Sequence, residues 1–320
     1  MGRTGMAGQA RDNVTVYHVP VLRDQAVAFL VADRGGVYVD GTLGGGGHSE
    51  AILKRLNKKG HVIGIDRDEE ALNFSRQRLS VYKERMSLVH GEFAHVNDIL
   101  ADLSVGRIDG FLLDLGVSSH QIMTAGRGFS YRQSGPLDMR MDRRQSETAM
   151  DLIHRHSEKN LADLLYIYGE EHLSRKIARR IVHERERGTL GDTGDLARVV
   201  CSVVRGRYQV KSLARVFQAL RIAVNDEMQQ LKSALENIYP LLGNGARVVV
   251  ISYHSLEDRM VKRYFQGRSV SYLRSDDFPE RTGYRFRLLT RKPVLPTEEE
   301  MTSVPASRSA RLRAAQKEEE

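Results

Sequence analysis

Along the first third of the chain, short apolar runs alternate with stretches whose apolar residues recur every three or four positions. "VYVD" precedes a run of glycines, Gly44 to Gly47, and "HSEAILKRL" follows with Ile52, Leu53 and Leu56 on one face. "HVIGID" is a buried-strand run ending on Asp66, and "RDEEALNFSRQRL" has the pattern of an amphipathic helix. "MSLVHG", "FAHVNDILADL" and "IDGFLLDLG" continue the alternation. Strands separated by helices of about ten residues predict βαβ units and a parallel, doubly wound sheet.

The rhythm breaks after Gln121. "TAGRGFSYRQSGPLDMRMDRRQS" has no periodicity and predicts an ordered loop at best. Helical stripes follow: Leu161, Leu164, Leu165 and Tyr168 with Gly169 as a stop, then Leu173, Ile177 and Ile181. Leu196, Val199, Val200 and Val203 make a third stripe, and Leu213, Val216, Phe217 and Leu220 a fourth. Strand pattern returns at "GARVVVIS", followed by the helix "SLEDRMVKRYF" and a strand at "YRFRLLTR". The tail "ASRSARLRAAQKEEE" reads as a last strand or a solvated end. The expected architecture is an α/β domain over 14–123 and 224–320, interrupted by an all-α insertion over 124–223.

At 320 residues, 41% hydrophobic and 28% charged, the chain has a globular rather than a disordered composition. Basic residues exceed acidic ones, 49 to 41, and the net charge of +8 suits a polyanionic partner without requiring one. A single cysteine, Cys201, excludes an intrachain disulfide framework and a cysteine-rich zinc site, and fits a reducing compartment. The histidines show no metal-ligand spacing, so no metal is expected. The first residues, to about Thr15, are Gly-rich and polar, a loose arm without the apolar core of a secretory signal. No stretch approaches the ~20 apolar residues of a membrane span. A soluble, cytoplasmic protein with no membrane partner is expected.

Glycines between a strand and a helix leave backbone open to a ligand, and three ligands compete here. A Walker A loop started at Gly41 has Gly47 where its lysine must be. A dinucleotide fingerprint started at Gly44 has Ser49 in place of its last glycine. S-adenosyl-L-methionine (SAM) needs neither, since its methionine end can lie against bare backbone. Asp66, 20 residues beyond Gly46, stands where an acid accepts both ribose hydroxyls. Phe93, after the third strand, is placed to stack on adenine, and Asp114 ends the strand "FLLD" at the carboxyl edge of the sheet. Each has a plain alternative, a helix-capping aspartate or a core phenylalanine. Together, at successive strand ends, they favour a nucleoside-type ligand.

"DGTLGGGGHS", "GIDRD", "HGEF", "LLDLGVSS", "RGFSY", "GPLDMRMD", "YGEE", "FQALRI" and "ISYHSLEDR" resemble, in order from about His18 to Arg313, the bacterial RsmH (MraW) family of SAM-dependent methyltransferases. The resemblance implies a class I, Rossmann-like methyltransferase sheet with an inserted helical domain. It implies methyl transfer to the exocyclic N4 amine of a cytidine in 16S rRNA, at the decoding centre of the small ribosomal subunit. Carried over motif by motif, it gives SAM contacts at Gly46, Gly47, His48, Asp66, Phe93, Asp114 and Gln121. The chain departs from the family pattern at His120, where proline is common, at Val216, which replaces a threonine, and in the ending "SVPASRSARLR".

Cytosine's amino lone pair is delocalised into its ring, so catalysis must align it with the sulfonium methyl and accept a hydrogen bond from it. Asp114 is the candidate acceptor, although the two prolines and the aromatic of many amino-methyltransferases are missing after it. Carbon-5 methylation would need a cysteine nucleophile, and Cys201 falls within a helical stripe. His254, in "ISYHSLEDR", is a second candidate at the same sheet edge. Arg127, Arg132 and Arg140, interleaved with Phe129 and Tyr131, suit single-stranded RNA, and equally a loop closing over SAM. Arg175, Lys176, Arg179 and Arg180 are candidates for tracking rRNA phosphates, with a solvated helix face as the alternative. The helical insertion is assigned to substrate recognition, and a homodimer is compatible with the chain. The competing functions are an NAD-dependent Rossmann oxidoreductase and a non-catalytic RNA-binding assembly factor.

Overall fold

The computed structural model describes residues 20–272 and 280–319, so the N-terminal arm lies outside the described residues. Helix α1 (Arg23–Leu30) leads into β1 (Val37–Asp40), α2 (Gly47–Arg55), β2 (His61–Asp66), α3 (Glu69–Arg78), β3 (Met86–His90), α4 (Val96–Asp102) and β4 (Ile108–Asp114). The chain then runs through the short α5 (Ser119–Met123) into α6 (Ala149–Arg155), α7 (Glu158–Gly169), α8 (Ser174–Glu186), α9 (Thr193–Val203) and α10 (Gln209–Val224). It returns by α11 (Glu227–Ile238) to β5 (Leu242–Ser252), α12 (Ser255–Phe265), β6 (Phe286–Leu288), α13 (Glu298–Ser303) and β7 (Arg311–Lys317). The seven strands form one sheet in the order β3-β2-β1-β4-β5-β7-β6. β1 to β5 are parallel, and β7 runs antiparallel between β5 and β6.

The apolar runs are continuous because both sheet faces are covered. Val39, Ile63, Phe111, Leu113, Val248 and Val250 join one core with residues of α4, α11 and α12. Their neighbours Tyr38, Val62, Leu112, Val249 and Ile251 join the opposite core with α1 and α2. Full burial of each such side chain contributes roughly 1.5–3 kcal/mol, which secures the strand register. The helices α6 to α10 close around a third core of Ile153, Leu165, Ile177, Ile181, Leu196, Val200, Val216 and Leu220.

The tail is a strand, not a solvated end: Leu312, Ala314 and Ala315 are fully buried, and Arg313 is held by Asp258 at 2.6 Å. The loop after α5 is ordered, with Leu137, Met139 and Met141 packed into the helical core. Among the described residues no helix is long and apolar enough to cross a membrane.

Candidate active site

Parallel strands end together, so β1, β2, β3 and β4 deliver their following turns to one edge of the sheet. There they line an open cleft of about 1020 Å³. Gly41, Thr42, Leu43, Gly44, Gly47 and His48 make one wall. The glycine run serves two purposes. Gly47 begins α2 against Pro20, whose ring lies 2.8 Å from where a Cβ would be. Gly46 takes a left-handed φ of +72°, and its missing Cβ points at Ser75 and Leu79 of the α3 region rather than into the cleft. Of the turn positions expected at the ligand, Gly47 and His48 line the cleft and Gly46 packs behind it; Gly44 was not expected there and does line it.

Asp66 ends β2 and braces this turn. Its Oδ2 accepts the Gly44 N–H at 2.7 Å and its Oδ1 accepts the Asp68 N–H at 2.8 Å. Burial pushes its carboxyl up to about 6, against the pull of those two backbone donors. A carboxylate has about four lone-pair positions, so both oxygens retain acceptor capacity toward the cleft. Phe93 also lines the cleft, with its Cβ 3.1 Å from where a Cβ of Gly41 would be. Beside it, Glu92 accepts the Gln230 side-chain N–H at 2.7 Å.

Asp114 ends β4, with its backbone N–H donated to Thr42 Oγ1 at 2.6 Å. Its Oδ1 accepts the Tyr253 hydroxyl at 2.9 Å, and its Oδ2 lies 3.6 Å from His48 Nδ1. The other ring nitrogen of His48 is 3.1 Å from the Val21 carbonyl, which places a donor there. Burial, then the adjacent Asp114 charge, holds the Tyr253 phenol well above its ordinary value, so it stays a proton donor. Asp40, also buried, accepts from Ser49 at 2.7 Å, and burial raises it too.

Gln121 lines the cleft from α5, where it completes a capping box with Ser118. Its Nε2 donates to Asp68 Oδ2 at 2.7 Å. The same Asp68 oxygen accepts Arg127 at 2.9 Å, and Arg127 also reaches Glu70 and the carbonyls of Arg140 and Met141. Arg127 is only 1% exposed, so it is structural and cannot meet RNA phosphate. Phe129 is buried in the helical core, and Tyr131 packs edge-on against Phe217 at 5.5 Å. Arg140 is forked onto Asp138 at 2.7 and 2.9 Å. Of these five, only Arg132 is exposed. Interleaved cations and aromatics look alike whether a loop binds RNA or packs on itself; here they pack.

His254 does not line the cleft; its neighbours Tyr253 and Glu257 do. It caps α12, with Nε2 3.2 Å from Glu257 Oε1. Glu227, His254 and Glu257 bring possible ligand atoms within 4.8 Å of one another. Both Glu227 oxygens, however, accept from Arg221 at 2.8 Å, and Glu257 Oε2 accepts the Tyr253 N–H at 2.7 Å. The partly buried Arg221 guanidinium thus provides positive charge beside these carboxylates. Arg175, Lys176, Arg179 and Arg180 are exposed along α8, opposite its buried Ile177 and Ile181. They stand away from the cleft lining.

A 3-2-1-4-5-7-6 sheet, an open glycine turn after β1 and acids ending β2 and β4 define a Rossmann-like methyltransferase. The chain matches the MraW methylase family over residues 15–318. It is 48% identical over 321 residues to the ribosomal RNA small subunit methyltransferase H of Chlorobium phaeobacteroides, covering 94% of this chain and 96% of that protein. It is 43% identical to the protein of the same name from Brevibacillus brevis, covering 95% and 99%, and 44% identical to that of Geotalea uraniireducens, covering 94% and 98%. The protein belongs to the MraW methylase family, whose methyl donor is SAM.

Proposed function

We propose that the protein transfers a methyl group from SAM to the exocyclic N4 amine of a cytidine in 16S rRNA, at the decoding centre of the small ribosomal subunit. The observation that carries this reading is the single cleft shared by Asp66, Phe93, the glycine turn and Asp114. The names of the relatives support small-subunit rRNA as the substrate.

The residues suit the donor. Gly44 has open space where a Cβ would be, with only the Thr42 carbonyl near, at 3.9 Å. When bound, SAM supplies an electrophilic methyl on a sulfonium. Gly44, Gly47 and His48 face its methionine end, Asp66 accepts from its ribose and Phe93 covers its adenine. Gln121 acts one step back, steadying Asp68 beside Asp66. Asp114 accepts a hydrogen bond from the cytosine amine, orients its lone pair and takes up the proton released after transfer. A base in a helix cannot reach this cleft, so the target cytidine enters extruded. The helices between β4 and β5 form the substrate-recognition unit, and the exposed cations of α8 track rRNA phosphates. The reaction belongs to the cytoplasm, where ribosomes are assembled.

The test is transfer from labelled SAM to small subunits from cells lacking this protein, followed by digestion and mass spectrometry of the nucleosides. N4-methylated cytidine at one 16S position is the expected product. Label only on cytosine C5, on another nucleoside, or nowhere would overturn the proposal.

A further inference from the structure

Asp114 is held with more care than a strand-end aspartate needs. β4 and β5 pair with Asp114 opposite Ile251, so Tyr253, two residues further on, can lean back over the neighbouring strand end. Its backbone N–H is fixed to Glu257 Oε2 at 2.7 Å. Its ring lies along Gly116, 3.4 Å from the position of a Cβ there, and Gly116 has a φ of +97° that disfavours any side chain. The hydroxyl then meets Asp114 Oδ1 at 2.9 Å. His48 stands 3.6 Å from the other oxygen, and the Asp114 side chain is only 8% exposed.

We propose that Tyr253 is the positioning residue for Asp114, fixing the plane of its carboxylate so that Oδ2 and the outer lone pairs face the target amine. The inference rests on the methyl transfer proposed above. The phenol keeps its proton throughout and touches the chemistry only through Asp114. A fixed plane favours the in-line arrangement of the transition state rather than ground-state binding.

The experiment compares wild type, Tyr253→Phe and full-length protein carrying 3-fluorotyrosine at position 253, whose phenol is the stronger donor. kcat and KM for SAM and for unmodified small subunits are measured for each, with melting temperatures to show that each variant folds. Tyr253→Phe lowers kcat about 10- to 100-fold, the loss of one charge-assisted hydrogen bond, while both KM values stay within about twofold. The fluorotyrosine protein keeps the hydrogen bond and holds kcat within about threefold of wild type. A merely packing role cannot lower kcat alone and be rescued by the hydroxyl. An unchanged kcat in Tyr253→Phe, or a loss confined to KM, overturns the inference while leaving the methyl transfer intact. Wild-type protein that binds SAM by calorimetry yet transfers no methyl to small subunits overturns the underlying function and this inference with it.

Discussion

Asp66 has two tasks with opposite demands. It must be buried enough to brace Gly44, and charged enough to accept ribose hydroxyls. Burial raises its carboxyl to about 6, above the ~3.9 of an unfolded chain. In ligand-free protein, the folded state therefore holds this proton where the unfolded chain has lost it. Its contribution to stability falls as pH rises between about 4 and 6. SAM affinity moves the other way, because the charged form is the better acceptor. Calorimetry should show SAM binding weakening toward tenfold per pH unit below about 6, and Asp66→Asn should flatten that dependence while weakening binding at pH 7.5 by about tenfold or more. Equal affinity at pH 5 and 7.5 in the wild type would refute the assignment. Arg127 gives the contrasting case. Its wholly buried guanidinium neutralises Asp68, itself 5% exposed, so Arg127→Met strands a buried carboxylate and should cost about 3 kcal/mol in denaturant unfolding. Arg132→Ala, at the surface, should change stability by less than about 0.5 kcal/mol. Asp66, Phe93 and Asp114 were legible because a parallel sheet gathers its strand ends at one edge. Gln121 and His48 were legible only by resemblance, since their roles come from contacts with Asp68, Asp114 and Val21, which are distant in the chain.

Strands β1 to β6 were legible from their apolar runs and α7 to α10 from their stripes, whereas the pattern of β7 fits a strand and a solvated end equally. Helix α11 was not legible, although Met228, Leu231, Leu235 and Ile238 carry the spacing and lie fully in the core. Its polar neighbours dilute the signal over a short window. The loop 124–148 was the harder case. Its order comes from Leu137, Met139 and Met141 packing onto helices distant in sequence, which no local period records. Helix α8 was legible in both faces, its buried Ile177 and Ile181 and its exposed cations. Arg179 and Arg180 already have acidic neighbours, Glu158 at 3.4 Å and Glu184 at 2.6 Å, but such exposed pairs contribute little. Arg175→Ala with Lys176→Ala should reduce the slope of log K against log salt for small-subunit rRNA by about one to two units. SAM affinity should not change. An unaltered slope would leave α8 as a solvated face.

Beside the cleft, the sheet and the helical segment are joined by the buried side chains of Arg127 and of Asn225, which lies between α10 and α11. Asn225 is fully buried; its Nδ2 donates to the Met139 carbonyl at 2.7 Å and its Oδ1 accepts the Met141 N–H at 2.8 Å. Its own carbonyl accepts Arg67 at 3.0 Å, immediately after Asp66. Asn225 thus ties the loop carrying Met141 to the end of β2, as Arg127 does through Asp68, and both Met141 and Arg67 line the cleft. Whatever positions SAM at β2 is therefore mechanically continuous with the segment proposed to meet rRNA. Asn225→Ala leaves the Met141 N–H and the Met139 carbonyl without that partner, at a cost of about 3 kcal/mol. Hydrogen exchange should accelerate over residues 137–145, while the central amides of β4 and β5, sealed between two cores, keep their protection. SAM should bind more weakly and restore part of the lost protection. Uniform acceleration that includes β4 and β5 would mean that Asn225 supports the whole fold rather than the junction.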